Sequence, residues 1–228
     1  MMKVSVIIPV YNEKDSIRDI LKRVASVPIN KEIIVVDDGS TDGTRELLEK
    51  ADIHGLKVLK NNANRGKGYS IRRALKHVTG DVVLVQDADL EYSPNDYPSL
   101  LAPIISGEAE VVYGSRCLEH GLKGVPLSLF RIGRRLLTSL TNLLYGTKIT
   151  DEPCGYKVFK TETIKSIPLV CERFEFCPEV TAKLLRRGHK IHEVSISYNP
   201  RTIAEGKKIT YRDGMEAIIT LLRYRFWK

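Results

Sequence analysis

Three acidic residues fall within five positions in Gln86-Asp87-Ala88-Asp89-Leu90-Glu91, and their spacing gives this 228-residue sequence its clearest chemistry. In extended backbone, side chains two apart leave the same side, so Asp87 and Asp89 can turn toward one cation. Glu91, two further on, can add a third oxygen or a water contact. Mg²⁺ typically takes one or two carboxylates and completes its shell with water and substrate phosphates. An ion held this way would bridge a diphosphate and neutralise the charge that builds as a bond breaks. A polar turn whose aspartate caps the next helix uses the same residues, and the triplet alone does not separate the two uses.

A second acidic pair stands in Asp37-Asp38-Gly39-Ser40. It reads either as a turn with a helix cap or as a carboxylate that holds a ribose hydroxyl or base edge. Pro9-Val10-Tyr11-Asn12-Glu13 carries the end of the first strand into its turn, so the glycine-rich dinucleotide turn is absent, and no GxxxxGK[ST] phosphate loop occurs. The five histidines lie outside these segments and read as surface or structural residues.

The elements that must position these groups follow from hydrophobic spacing. Val4–Val10, Ile33–Val36 and Val82–Val85 are near-continuous apolar runs, as expected of strands buried on both faces, and 57–59 and 111–113 are shorter ones. Ile17, Ile20, Leu21 and Val24 keep helical spacing, as do Ile71, Ala74, Leu75 and Val78. Strand–helix–strand alternation predicts an α/β fold, with a mostly parallel central sheet and helices on both faces. Ligands then bind beyond the carboxyl ends of the strands, where both acidic clusters fall. In the second half, residues 126–145 form an amphipathic helical pattern. Leu129, Ile132, Leu136, Leu140, Leu143 and Leu144 share one face, and Arg131, Arg134 and Arg135 the other. A helix over 174–188, a strand over 190–198 and a last helix over 212–226 follow. No repeat or linker interrupts the chain, so 1–228 reads as a single domain.

A hydrophobic fraction of 43% supports a core, and the net charge of +8 is concentrated toward the carboxyl end. A basic half calls for a polyanionic partner. No nucleic-acid module is recognisable, so nucleic acid is not the expected one. The first residues lack signal-peptide organisation, and no apolar run reaches roughly 18 residues. Cytoplasmic residence and free thiols at Cys117, Cys154, Cys171 and Cys177 are therefore expected.

The segments VSVIIPVYNE, IIVVDDGSTDGT, NANRGKGYSIRRAL and TGDVVLVQDADLEY, in this order and spacing, resemble the family-2 glycosyltransferases over about residues 3–116. Tyr113-Gly114-Ser115-Arg116, the run from Asp151 to Lys157, Pro200-Arg201 and the Glu205–Lys208 segment resemble the polyprenyl-phosphate branch, which includes dolichyl-phosphate mannose synthase. The resemblance implies a GT-A (nucleotide-diphosphosugar transferase) fold and transfer of a hexose, with inversion, from GDP-mannose or UDP-glucose to a polyprenyl phosphate. It implies that Pro9, Tyr11 and Glu13 cradle the nucleoside with Asp38 beside base or ribose. Asp87 and Asp89 would hold Mg²⁺ or Mn²⁺, with Glu91 where mannose synthases often have Gln. Arg116, Arg131, Arg201 and Lys207 would meet phosphates of donor and acceptor. Residues 1–116 would then form the nucleotide and metal half, and 117–228 the acceptor-binding, membrane-facing half. Many relatives carry carboxy-terminal transmembrane helices, and none is expected in this sequence.

A lipid phosphate is already anionic and needs no strong base. A saccharide or protein hydroxyl acceptor would need a carboxylate to take its proton, and Asp151 and Glu175 are the candidates. A catalytically silent nucleotide-sugar-binding subunit of a membrane complex is a further reading. The 126–145 helix suits either an interfacial position, peripheral on the cytoplasmic face of a membrane, or ordinary core packing. A membrane-anchoring partner protein is compatible with the first.

Overall fold

β-Branched residues dominate the first strands, and their side chains alternate between two buried layers. The computed structural model describes residues 2–118, 129–201, 206, 208 and 210–227. Strands β1 (Val4–Val10), β2 (Lys31–Asp37), β3 (Leu56–Lys60) and β4 (Val82–Val85) run parallel. Val6 and Ile8 of β1 face one layer, built with Ile17, Ile20, Leu21 and Val24 of α1 (Ile17–Ser26) and with α4 (Tyr97–Ile105). Ile7 faces the other, built with Ile71 and Ala74 of α3 (Lys67–Leu75) and with Phe176, Val180 and Leu184 of α7 (Phe176–Arg186). Each such aliphatic side chain contributes about 1.5–3 kcal/mol when fully buried.

Strands β5 (Val111–Ser115), β6 (Lys157–Lys160) and β7 (His192–Ser195) complete a seven-stranded sheet of order β3-β2-β1-β4-β6-β5-β7. β6 is antiparallel to both neighbours, and the other strands share one direction. Short α2 (Thr44–Glu49) and α6 (Thr161–Ser166) follow β2 and β6. Strand order reverses between β1 and β4, the switch point where open α/β sheets bind ligands. The carboxyl ends of six strands and the amino end of β6 therefore bring residues 11–13, 38–40, 86–91, 116, 151–156 and 196–201 to one edge.

Three expectations change. The acidic run is not extended, because β4 ends at Val85, residues 88 and 89 turn, and Leu90 has φ 62°. The 190–198 strand shrinks to His192–Ser195 plus a single bridge between Tyr198 and Tyr92. The amphipathic helix, seen as α5 (Leu129–Tyr145), is turned differently about its axis. Arg134, Leu137, Thr138 and Thr141 face inward, while Ile132, Leu136 (63% exposed) and Leu143 (81%) face outward. Leu137 packs with Ala182 of α7 and with Ala217 and Leu221 of α8 (Tyr211–Phe226). The inward arginine has a buried carboxylate, Asp151, to meet.

Candidate active site

The tip of β4 is fixed from beneath. Gln86 is buried, and its Oε1 accepts hydrogen bonds from the hydroxyls of Tyr97 (2.8 Å) and Tyr156 (2.7 Å). Ala88 is buried in the core. The carboxylates on either side of Ala88 both reach partial exposure. Asp87 forms an ion pair through Oδ1 with Lys67, while its Oδ2 lies so close to Gly155 that a methyl group there would overlap it. Asp89 Oδ1 accepts the Glu91 amide at 3.1 Å. Burial, then the charges of Asp87 and Glu91, push the Asp89 carboxyl up to about 7. Glu91 Oε1 accepts the Arg201 amide at 2.8 Å.

The acidic residues after β2 have structural partners. Asp37 pairs with Arg45 at 2.6 Å and accepts the Ser40 amide at 3.0 Å. Asp38, expected beside base or ribose, is buried and accepts from Asn61 Nδ2 (2.6 Å) and from the amides of Arg65 and Gly66 (2.6 Å for the latter). Its carboxylate thus clamps the loop into α3, and both oxygens are engaged. Gly66, at φ 100°, has no room for a side chain, since a Cβ would stand 2.5 Å from the Glu172 carbonyl. The amides of Gly68 and Tyr69 donate to the carbonyls of Arg173 and Glu172. Held on both sides, this loop sends Lys67 toward β4.

Pro9, next to last in β1, is half-buried, and Tyr11 and Glu13 follow the strand. Glu13 accepts from Ser16 (2.7 Å), Arg201 Nη1 (2.9 Å) and Lys208 Nζ (2.7 Å), and Lys208 also reaches the carbonyls of Tyr11 and Asn12. Arg201 and Lys208, both beyond β7, therefore hold the first loop, with Arg201 linking Glu13 and Glu91.

Asp151, proposed from sequence as a base, is fully buried. Its oxygens accept from Arg116 Nε (2.7 Å), Nη2 (2.8 Å) and the Arg116 amide (3.0 Å), with Arg134 Nη1 3.5 Å away. Burial opposes its charge, but the two arginines hold its carboxyl below the ordinary aspartate range. A carboxylate so engaged serves as a counter-anion rather than a proton acceptor. Arg116 also lies over the rings of Tyr198 (5.1 Å) and Tyr92 (6.0 Å) beside the acidic tip. Arg131 sits half-buried one turn before Arg134. Glu175 accepts the amides of Glu172 and Arg173 at 3.2 Å each and orders the turn into α7. Lys207 lies outside the described residues.

The edge thus brings together Asp87, Asp89, Glu91, Glu13, Arg116 and Arg201. The sequence reading assigns no site role to Lys67, Gln86, Arg134 or Lys208, although the Gly-Lys-Gly triplet marks Lys67. A cleft of about 510 Å³, lined by residues including Met2, Asp81 and Lys160, opens at the opposite edge and contains none of these groups. Among the described residues, no three His, Cys, Asp or Glu side chains are grouped to hold a metal by themselves. Asp89 nevertheless fits a hard cation completed by phosphate: its donors are oxygens, and the carboxylates of Asp87 and Glu91 act on it from nearby.

The sequence matches the glycosyl transferase family 2 domain over residues 5–167. It is 30% identical over 224 residues to the glycosyltransferase AglJ of Haloferax volcanii, covering 97% of this chain and 71% of AglJ. It is 30% identical over 217 residues to a dolichol-phosphate mannosyltransferase of Pyrococcus furiosus, covering 90% of this chain and 59% of that protein. Its fold superposes, with a TM-score of 0.76 at 23% identity, on glucosyl-3-phosphoglycerate synthase of Mycobacterium tuberculosis, crystallised with Mn²⁺, UDP and glucosyl-3-phosphoglycerate. That alignment covers 100% of this chain and 81% of the synthase and identifies the architecture as GT-A.

Proposed function

The chain belongs to glycosyl transferase family 2, and on that footing we propose that it moves a hexose from GDP-mannose or UDP-glucose to a polyprenyl or dolichyl phosphate, with inversion. The observation that carries this reading is the facing of an acidic strand tip, Asp87, Asp89 and Glu91, by Arg116 and Arg201 from later strands. The similarity to a dolichol-phosphate mannosyltransferase supports a lipid phosphate as acceptor.

In the reaction, the bond from the sugar's anomeric carbon to the diphosphate breaks while one forms to an acceptor phosphate oxygen, and no proton need move. Pro9, Tyr11 and Glu13 flank the nucleoside at the end of β1. Asp89, with Asp87 and Glu91, would hold Mg²⁺ or Mn²⁺, which when bound supplies charge neutralisation at the leaving diphosphate. Arg116, oriented by Asp151, offers its remaining donors to phosphate oxygens, as do Arg131 and Arg201. Asp38 acts indirectly, by holding the Lys67 loop. The engagement of Asp151 and Glu175 with arginines and backbone amides disfavours a hydroxyl acceptor.

Residues 1–116 take nucleotide and metal in this reading, and 117–228 take the acceptor and face the membrane. Among the described residues, no helix is long and apolar enough to cross a bilayer. Ile132, Leu136 and Leu143 of α5, with Tyr211, Met215, Ile219 and Phe226 of α8, are exposed apolar side chains, and Arg135, Arg212, Arg223 and Arg225 lie around them at least partly exposed. Such a surface suits the headgroup region on the cytoplasmic side, alone or beside a membrane-anchoring partner.

The test is transfer of labelled sugar into a lipid extract, with each donor and each acceptor class. Label should enter isoprenoid phosphate only with divalent metal and should be lost in Asp89→Ala. Undiminished transfer by Asp89→Ala in excess EDTA would refute the reading.

A further inference from the structure

Lys67 has no role in the proposed transfer, yet its ammonium group is bonded to the acidic tip. It is positioned from both sides: Asp38 holds the amides of Arg65 and Gly66, and the backbone at 172–173 holds Gly68 and Tyr69. Its partner is equally confined, since one oxygen of Asp87 is on the ammonium group and the other against Gly155. Among the described residues, the charges around Asp87, Asp89 and Glu91 include Lys67, Arg201, whose guanidinium is on Glu13, and Arg116, which is held by Asp151.

We propose that Lys67 is a built-in counter-ion of the metal site, occupying Asp87 so that a divalent cation binds weakly until a donor diphosphate arrives with it. The diphosphate carries negative charge to the same place, offering Lys67 a second anion and the cation further oxygens. Cation and nucleotide then bind with mutual reinforcement, and the reinforcement is equal seen from either ligand. The ion is thereby recruited with its substrate. This inference rests on the metal-dependent reading above.

Mn²⁺ binding followed by electron paramagnetic resonance tests it without turnover, in wild type, Lys67→Met, Lys67→Arg and Lys67→Met/Asp87→Asn. Each is titrated with Mn²⁺ alone and with saturating GDP or UDP, whichever binds the wild type. Lys67→Met should bind Mn²⁺ alone at least tenfold more tightly than wild type, a modest demand for removing a cation within a few ångströms of a divalent ion. The additional gain from nucleotide should shrink in that variant. Lys67→Arg, which keeps the charge, should resemble wild type, and the double variant should lose the gain. If Lys67→Met binds Mn²⁺ alone no more tightly than wild type, while both bind it with nucleotide, the counter-ion role is overturned and the metal-dependent reading stands. If nucleotide binds but no variant takes up Mn²⁺ even then, both fall together. Circular dichroism melts of each variant establish that the compared proteins are folded.

Discussion

Replacing Asp151 with asparagine separates a positioning carboxylate from a catalytic one. Asp151 is fully buried, and the two guanidinium groups it serves are only 12% and 8% exposed in their side chains. The asparagine would keep the shape and one acceptor oxygen but lose the charge, leaving Arg116 and Arg134 without their shared counter-anion. Breaking a buried pair from one side typically costs about 3–5 kcal/mol, and the retained oxygen puts Asp151→Asn near the lower end, about 3 kcal/mol. In a chain of this length 1 kcal/mol moves the melting temperature by about 2–4 °C, so a fall of about 6–12 °C is expected. Urea melts at pH 7 measure the loss directly. Its pH dependence has a definite sign. The folded-state pKa of Asp151 is lowered, so its stabilisation is complete above the unfolded value near 3.9 and is lost as pH falls through the folded value. The gap between wild type and variant should be constant from about pH 5 to 8 and close below about pH 4. Melting within about 2 °C of wild type, combined with abolished transfer, would refute this reasoning and return Asp151 to the role of base.

Three further outcomes follow from the same geometry. Burial and the neighbouring carboxylates push the Asp89 carboxyl up to about 7, so on the proposed reading protons compete with the cation: nucleotide-dependent Mn²⁺ affinity should fall as pH drops from 7 toward 5, by up to about tenfold per unit, and level off above. Calorimetry in buffers of matched ionic strength checks this, and a flat profile contradicts it. Gly155→Ala places a methyl group on Asp87 Oδ2, so Mn²⁺–nucleotide affinity should fall about tenfold or more, as read by calorimetry; wild-type affinity would mean that Asp87 takes no part. Met215→Glu with Leu136→Glu alters only exposed side chains, so melting should change little while co-sedimentation with anionic-lipid vesicles drops several-fold; unchanged co-sedimentation would remove these helices from the membrane surface.

The elements legible in the sequence were those with a single strong period. Val82–Val85 was delimited to the residue, and all four apolar positions expected of α1 are buried. β6 escaped because Lys-Val-Phe-Lys carries lysines at both ends, yet Lys157 is fully buried, with its ammonium group 3.5 Å from the Tyr113 ring centre and bonded to the Glu152 carbonyl. α4 escaped because its nine residues carry Pro98 and Pro103, although one sits in the first turn, where a missing amide costs nothing. In α5 the leucines and arginines form a convincing wheel, but burial follows the partners available. Asp151 draws Arg134 inward, and the leucines opposite are left facing out. Hydrophobic periodicity has no access to a counter-ion 17 residues away in sequence.

The same limit applies to the charges of the site. Composition gives a net +8 and places the surplus late in the chain, but it does not say which cation meets which carboxylate. Lys67 and Asp87 are 20 residues apart, Arg116 and Asp151 are 35, and Arg201 and Glu13 are 188. Each pair closes only because parallel strands deliver their carboxyl ends to one edge, while β6, running the other way, begins there. The acidic triplet was readable because its members are neighbours, whereas the cations that face it come from α3, β5 and the segment after β7. Those cations are already oriented by carboxylates before any ligand arrives. On the proposed reading, an incoming diphosphate would meet arginines whose rotamers are largely fixed, and less ordering would remain to be done on binding. Arg116 is the clearest case: its guanidinium is held by Asp151 and flanked by Tyr92 and Tyr198, which leaves it aimed along the edge where the acidic tip lies.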